Sequence, residues 1–303
     1  MKRSSLFLLI LCNIAWAMNP LMGKVLLRSY DGLQVAWIRY FGAFMAYFSV
    51  AVASLLFQRG KRWRDYFLAP SDWRTGFELL ALGIGPFVFS PILQFVGLET
   101  AQAMDNSILI ATEPLITVLL AWVVLGERMT RDHWISMGIA LVGFLLFSGA
   151  VSFSVSKGMV LLLFALLGEA TFSVFSRKLA QVYPPSAVLG TALAIGALVL
   201  TAVVAMFGRL PTLGFASIRE VGAALCLGPI GSTLTYLIWS LITRTVSVPS
   251  MVITLFIQPI VGALLGFLLL GESLTPGRFA GALLILAGIG FLFFWELRRT
   301  TTL

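Results

Sequence analysis

Leu125-Gly126-Glu127-Arg128-Met129-Thr130 and Leu270-Gly271-Glu272-Ser273-Leu274-Thr275 are near copies of one another, and their starts lie 145 positions apart (270 − 125). The same shift lays Glu113-Pro114-Leu115-Ile116 over Gln258-Pro259-Ile260-Val261, Leu82-Gly83 over Leu227-Gly228, Thr100 over Thr245 and Gly143 over Gly288. A register kept over so many positions is the mark of an internal duplication. It divides the chain into residues 1–151 and 152–303.

Of the 303 residues, 59% are hydrophobic and 11% charged, and the mean hydropathy is +0.98. A soluble domain carries about a quarter charged residues, and a disordered chain has far less apolar surface. The composition therefore implies a polytopic membrane protein. Apolar runs bounded by charge or by Pro and Gly predict spans at roughly 4–27, 32–57, 75–97, 101–126, 131–149, 157–178, 186–207, 218–243, 247–271 and 276–296, each near the ~20 residues that cross a bilayer. Pro184-Pro185 marks a turn, because neither proline donates a backbone bond. Lys2, Arg3, the apolar run to Leu11 and Ala15-Trp16-Ala17 together resemble a cleavable leader. The apolar stretch continues through Leu27, so it is read as a retained first helix. Five spans per half is an odd number, so the second copy must enter the membrane upside down. The predicted fold is an all-α membrane protein of ten transmembrane helices in two inverted five-helix repeats, an architecture common among secondary transporters.

The formal charge is +8 and the pI about 9.9. In a soluble protein that would suggest a nucleic-acid surface; here the basic residues sit in short loops, where they set orientation. With the N-terminus inside, fourteen Lys and Arg, Lys61, Arg62 and Arg64 the densest run, fall on the cytoplasmic side. Seven fall outside: Lys24, Arg28, Arg39, Lys157, Arg209, Arg219 and Arg278. Both termini are thus expected in the cytoplasm. Cys12 and Cys226 lie in separate apolar stretches and read as inert core thiols. His133 is the one histidine, and no nucleophile–base pair stands out. The expectation is no metal, no cofactor, no nucleic-acid partner and no enzymatic activity.

An ionised side chain near the bilayer centre costs at least ~2.5–3.5 kcal/mol, so the acids inside spans are functional candidates. Glu113 and Glu169 fall at mid-helix by the limits above and are the candidates for ion coupling. Pro114 and Pro259 break the same helix in each copy. Asn106, Glu113 and Thr117 recur at spacings of seven and four and share a face. Asn13, Trp16 and Asn19 share another, and Tyr236, Trp239 and Thr243 a third, with Gln94 at the position equivalent to Trp239 and Gln258 at that of Glu113. Rings beside amides suit a pocket for a partly apolar, hydrogen-bonding solute. Gly83, Gly85 and Pro86 match Gly228, Pro229 and Gly231 in the other copy, and such paired weak points are expected hinges for two gates. Gly262/Gly266 and Gly277/Gly281 read as close helix packing.

The two Leu-Gly-Glu signatures, each followed by a Gly-rich helix, resemble the EamA domains of the drug/metabolite transporter superfamily. Trp16-Ala17-Met18-Asn19 followed by Lys24, and Arg39 in the second helix, are similar to that family's pattern. The resemblance covers nearly the whole chain. It implies a transporter whose relatives carry amino acids, drugs, nucleotide-linked sugars and other metabolites, the bacterial ones often outward. Glu169, in Leu167-Gly168-Glu169-Ala170-Thr171-Phe172, departs from the pattern, since family members commonly have a small residue there. It is reminiscent of the membrane-embedded Glu of the small multidrug resistance branch, which binds protons or cations. Asn13 stands at the corresponding place in the first half, so the role is not duplicated. The expected function is a secondary transporter of a small metabolite in the cytoplasmic membrane, an exporter working by alternating access, with the proton as candidate coupling ion. A lipid-linked headgroup flippase or an importer of the same superfamily is the alternative. The expected partners are a small-molecule substrate and the lipid bilayer, in a monomer or homodimer.

Overall fold

A computed structural model describes residues 3–101, 109–110, 112–148, 156–211, 214–270 and 276–301. Helices α1 (Arg3–Leu26), α2 (Gly32–Phe57), α3 (Trp73–Thr100), α4 (Glu113–Leu125) and α5 (Arg131–Ser148) come from the first half. From the second come α6 (Lys157–Ala180), α7 (Pro185–Met206) and α8 (Ile218–Thr243). Then follow α9, made of Val248–Val252 and Ile257–Leu270 joined by the 3-10 turn Ile253–Phe256, and α10 (Pro276–Thr301). Among the described residues, six of these helices are long and apolar enough to span a membrane, and the remaining apolar ones are shorter.

The boundaries follow local chemistry. Asp31 caps α2 reciprocally with Gln34: its carboxylate accepts from the Gln34 N–H at 2.9 Å, and its own N–H donates to Gln34 Oε1 at 3.0 Å. Asp72, Ser156 and Ser217 cap α3, α6 and α8 in one direction, each side chain accepting from the N–H of Thr75, Met159 and Glu220 in turn. Pro185 opens α7, where its missing N–H has no partner to lose. Gly126 ends α4 at φ +70°, a left-handed conformation that a side chain would strain.

Two prolines alter helices from within. In α3 the segment Gly85–Phe89 is a π-helical turn, and in α8 the segment Cys226–Leu234 is another. Pro86 and Pro229 donate no backbone bond, so the ladder shifts register around them, and such π-turns gather at functional sites. The sequence predicts a continuous helix over 101–126 with Glu113 at its middle; the structure corrects this. A turn at Thr112 precedes the helix, and Glu113 and Pro114 form its first turn, the position proline tolerates best. Asn106 lies outside the described residues.

α5 and α10 pack along their length. Gly143 sits against Gly281 and Ile285, and Gly288 sits against Ser136 and Ala140, whose hydroxyl partner bond is Ser136 Oγ to the Gly288 carbonyl at 2.7 Å. As numbers rise along α5 from Ser136 to Gly143 they fall along α10 from Gly288 to Gly281, so the two helices are antiparallel. The shift of 145 carries Gly143 onto Gly288 and Ser136 onto Gly281, so the crossing maps onto itself when the halves are exchanged. Side-chain bonds gather at the two ends of the bundle. At one end Lys24 Nζ donates to the Leu98 carbonyl, Ser29 to Glu220 at 2.7 Å, and Arg209 pairs with Asp31 at 2.8 Å. At the other Lys178 pairs with Glu78 at 2.7 Å, and Arg177 with Glu127 at 2.9 Å.

Candidate functional site

A cavity with an open mouth lies among α1, α2, α3, α4, α6, α8 and α9. Helices of both halves build it. α1 brings Trp16 and Asn19, α3 brings Gln94, α4 brings Glu113, α8 brings Tyr236 and Trp239, and α9 brings Gln258. The structure thus gathers seven residues singled out in the sequence around one space, together with Glu169 of α6.

The rings form one wall. Trp16 lies 5.0 Å from Trp239 and 5.4 Å from Tyr236, centroid to centroid, and Phe172 lies 4.4 Å from Tyr236. Each polar tip is held. Trp16 Nε1 donates to the Gly231 carbonyl at 2.9 Å, one of the carbonyls of the π-turn in α8, and Trp239 Nε1 donates to Ser173 Oγ at 3.1 Å. The rings therefore keep their apolar faces for the cavity while their N–H groups are satisfied.

The two acids differ in their surroundings. Glu169 is anchored on both oxygens, accepting from Ser90 Oγ at 2.9 Å and from Tyr236 OH at 2.9 Å, and Tyr236 OH in turn lies 3.2 Å from Tyr40 OH. Glu113 lines the same cavity and has no hydrogen-bond or ion-pair partner among the described residues. The two carboxyl groups are close enough to repel when both are ionised.

Other residues singled out in the sequence stand behind the wall. Asn13 is buried and holds Gln258 in place, accepting from Gln258 Nε2 at 3.1 Å while donating to Thr254 Oγ1 at 3.0 Å. Thr117 is buried one turn beyond Glu113, with no partner for its hydroxyl among the described residues. Thr243 is buried one turn beyond Trp239, and its carbonyl accepts from Arg177. Pro114 begins α4 and Pro259 lies in the first turn of the second segment of α9. Gly83, Gly85 and Pro86 lie in and beside the π-turn of α3, and Gly228, Pro229 and Gly231 in that of α8. All four glycines are packed: a Cβ on Gly85 would fall 2.2 Å from Thr171 Oγ1, and one on Gly231 would fall 2.7 Å from Asn19 Oδ1. Glu127 organises a loop junction, its second oxygen accepting the Val248 N–H at 2.9 Å.

Arg39 requires a correction. The charge tally counts it among the outer orienting charges although it falls within the second predicted span, and the structure buries it in the cavity wall at 2% exposure, two turns into α2. Its Nε donates to Ser232 Oγ at 3.0 Å and its Nη1 to Gln94 Oε1 at 3.0 Å, with the guanidinium over the Tyr40 ring. Removing it leaves the orientation bias at fourteen against six. Ser90, Ser173 and Tyr40 were also not singled out; they are ordinary in type, and only their partners give them meaning.

The profile of the EamA-like transporter family matches residues 3–149 and again 156–294. The chain belongs to the EamA-like transporter family. It is accordingly a multi-pass protein of the inner membrane and a transporter rather than an enzyme. A Salmonella typhimurium protein named probable amino-acid metabolite efflux pump is 25% identical over 99% of this chain and 98% of its own. The uncharacterized transporter YwfM of Bacillus subtilis is 27% identical over 66% of this chain and 68% of its own. A crystal structure 18% identical in sequence shares the fold, with a TM-score of 0.72 over 99% of both chains.

Proposed function

We propose that this EamA transporter is a ten-helix carrier of two inverted halves, residues 1–151 and 152–303, with both termini cytoplasmic. It exports a small metabolite, an amino acid or related compound, by alternating access. The observation that supports this best is the antiparallel, self-mapping crossing of α5 and α10. These are equivalent helices of the two halves, and equivalent helices that run in opposite directions belong to inverted repeats. The cavity lies where such halves meet, the place a carrier holds its substrate.

Both ends of the bundle carry an equivalent latch. Lys24 and Arg177 each lie in the last turn of the first helix of their half, and they donate to the Leu98 and Thr243 carbonyls, which are 145 residues apart (243 − 98). Alternating access breaks one such latch while keeping the other. The π-turns at Gly83, Gly85 and Pro86 and at Gly228, Pro229 and Gly231, with the breaks at Pro114 and Pro259, serve as the flexing points. Glu169 and Glu113 carry the coupling proton.

The test is counterflow in proteoliposomes. Vesicles preloaded with unlabelled amino acids, nucleosides or cationic drugs are expected to accumulate the matching labelled solute against no net gradient. Absence of counterflow for every solute in such a panel refutes the carrier reading.

A further inference from the structure

Among the described residues Arg39 is the one basic side chain on the cavity wall, and it has donors left over. A guanidinium carries five N–H donors in a planar fork. Here Ser232 and Gln94, both neutral acceptors, take one bond each through Nε and Nη1, and Nη2 has no partner among the described residues. Among the described residues no acid forms an ion pair with it: the Glu169 oxygens accept from Ser90 and Tyr236, and Glu169 acts on Arg39 through its field. A buried cation without a paired anion is costly, and a fork with free donors matches a carboxylate in two parallel bonds. Ser232 and Gln94 carry no charge and Glu169 makes no bond to the guanidinium, so its unfilled donors are open to an incoming carboxylate.

An acceptor stands on the same wall. The Glu113 carboxyl group lines the cavity and lacks a partner among the described residues, and a buried acceptor left unmatched asks for a donor, as an ammonium group supplies. Asn19 lines the cavity too, but its Oδ1 is covered and packed against the Gly231 backbone, so it backs the wall. A purely anionic solute would meet Glu113 unfavourably, and a purely cationic one would meet Arg39 unfavourably.

We propose that Arg39 binds a carboxylate of the transported solute, while Glu113 takes its ammonium group and the Trp16, Tyr236 and Trp239 rings its apolar part. The inference rests on the carrier reading and narrows it: the site selects zwitterions over the cationic drugs that relatives of this superfamily also carry.

The test needs no mutation at first. Purified protein is titrated with L-leucine, with 3-methylbutylamine, which lacks the carboxylate, and with 4-methylpentanoate, which lacks the amine, and dissociation constants are read from thermal stabilisation. Leucine is expected to bind roughly 30-fold or more tightly than either analogue, the scale of losing one partner of a buried charged pair. Arg39→Gln is expected to erase the preference for leucine over the amine, and Arg39→Lys to keep part of it. Binding of 3-methylbutylamine within threefold of leucine overturns the carboxylate site, 4-methylpentanoate within threefold overturns the ammonium site, and no stabilisation by leucine overturns both. If Arg39→Gln does not fold, the wild-type series decides alone. The failure of counterflow described above is a separate result, so the loss of this inference leaves the carrier reading in place.

Discussion

Replacing one glycine at the α5–α10 crossing tests the inverted packing directly. A Cβ built on Gly281 falls 2.5 Å from the Gly143 carbonyl oxygen, 2.5 Å from the Phe147 nitrogen and 2.7 Å from the Phe147 Cα. All three are backbone atoms, which cannot rotate away, so relief requires the helices to separate by roughly 0.5–1 Å along a seam that loses its dispersion contacts as it opens. Overpacking of this kind costs about 1–3 kcal/mol, and the upper end is expected for Gly281→Ala. Gly143→Ala meets the Ile285 nitrogen at 2.7 Å and is expected near the middle of that range, and Gly288→Ala, whose nearest atom is the Ser136 oxygen at 2.9 Å, at its lower end. Gly138 and Gly290 supply controls on the same two helices, since a Cβ at either meets nothing within 4 Å. Alanine there gains up to ~1 kcal/mol of helix propensity. Equilibrium unfolding of the five purified variants in mixed micelles gives the order. If Gly281→Ala proves as stable as Gly290→Ala, the two helices do not meet as described and the argument for inversion from their antiparallel crossing fails.

The Glu127–Arg177 pair joins the two halves with side chains 20% and 19% exposed, so solvent screens it in part. A double-mutant cycle with Glu127→Gln and Arg177→Gln is expected to give a coupling energy of about 0.5–1.5 kcal/mol, between the exposed and buried limits; a value under about 0.3 refutes a structural latch. Glu169→Gln is expected to leave folding intact while removing the pH dependence of flux, and an unchanged pH profile in proteoliposomes passes the coupling role to Glu113. Asp72, outside the membrane-spanning segment, has its carboxyl held below the usual Asp value, first by the Thr75 N–H and then by Ser71. A lowered folded-state value contributes stability above the unfolded value of 3.8, which is lost as pH falls through the folded one. Asp72→Asn is therefore expected to flatten the acid limb of a stability profile below about pH 4, and an unaltered limb counts against the cap.

The helices and the duplication were legible because they are written in periodicity and register, which a chain carries along its own length. Trp16, Asn19, Gln94, Tyr236, Trp239 and Gln258 were legible as well, because a polar or amphipathic group inside an apolar run must find a reason to be there. Arg39 was hidden by the same logic that oriented the chain. A cation near the end of a span counts as a loop charge until its neighbours are known, and its neighbours Gln94 and Ser232 come from 55 and 193 residues away. The start of α4 was missed for a different reason. The single acid Glu113 is flanked by long apolar stretches, so averaged hydropathy runs on across Thr112-Glu113-Pro114 where the backbone turns.

The scaffold is duplicated and the charge is not. Glu169 faces Asn13 as its counterpart, Glu113 faces Gln258, and Arg39, seven residues after Gly32 opens α2, corresponds to Ala192, seven after Pro185 opens α7. Had each charge been copied, exchange of the halves would bring two buried cations and four acids to one cavity, and their mutual repulsion in a low-dielectric space would cost far more than the substrate returns. Confining each charge to one half avoids that cost and has a second effect. A solute with unlike ends finds one orientation rather than two, because its carboxylate has one cation to meet. In the carrier proposed above, the moving parts keep the symmetry that alternating access uses, and the binding site gives it up so that the cargo lies one way round.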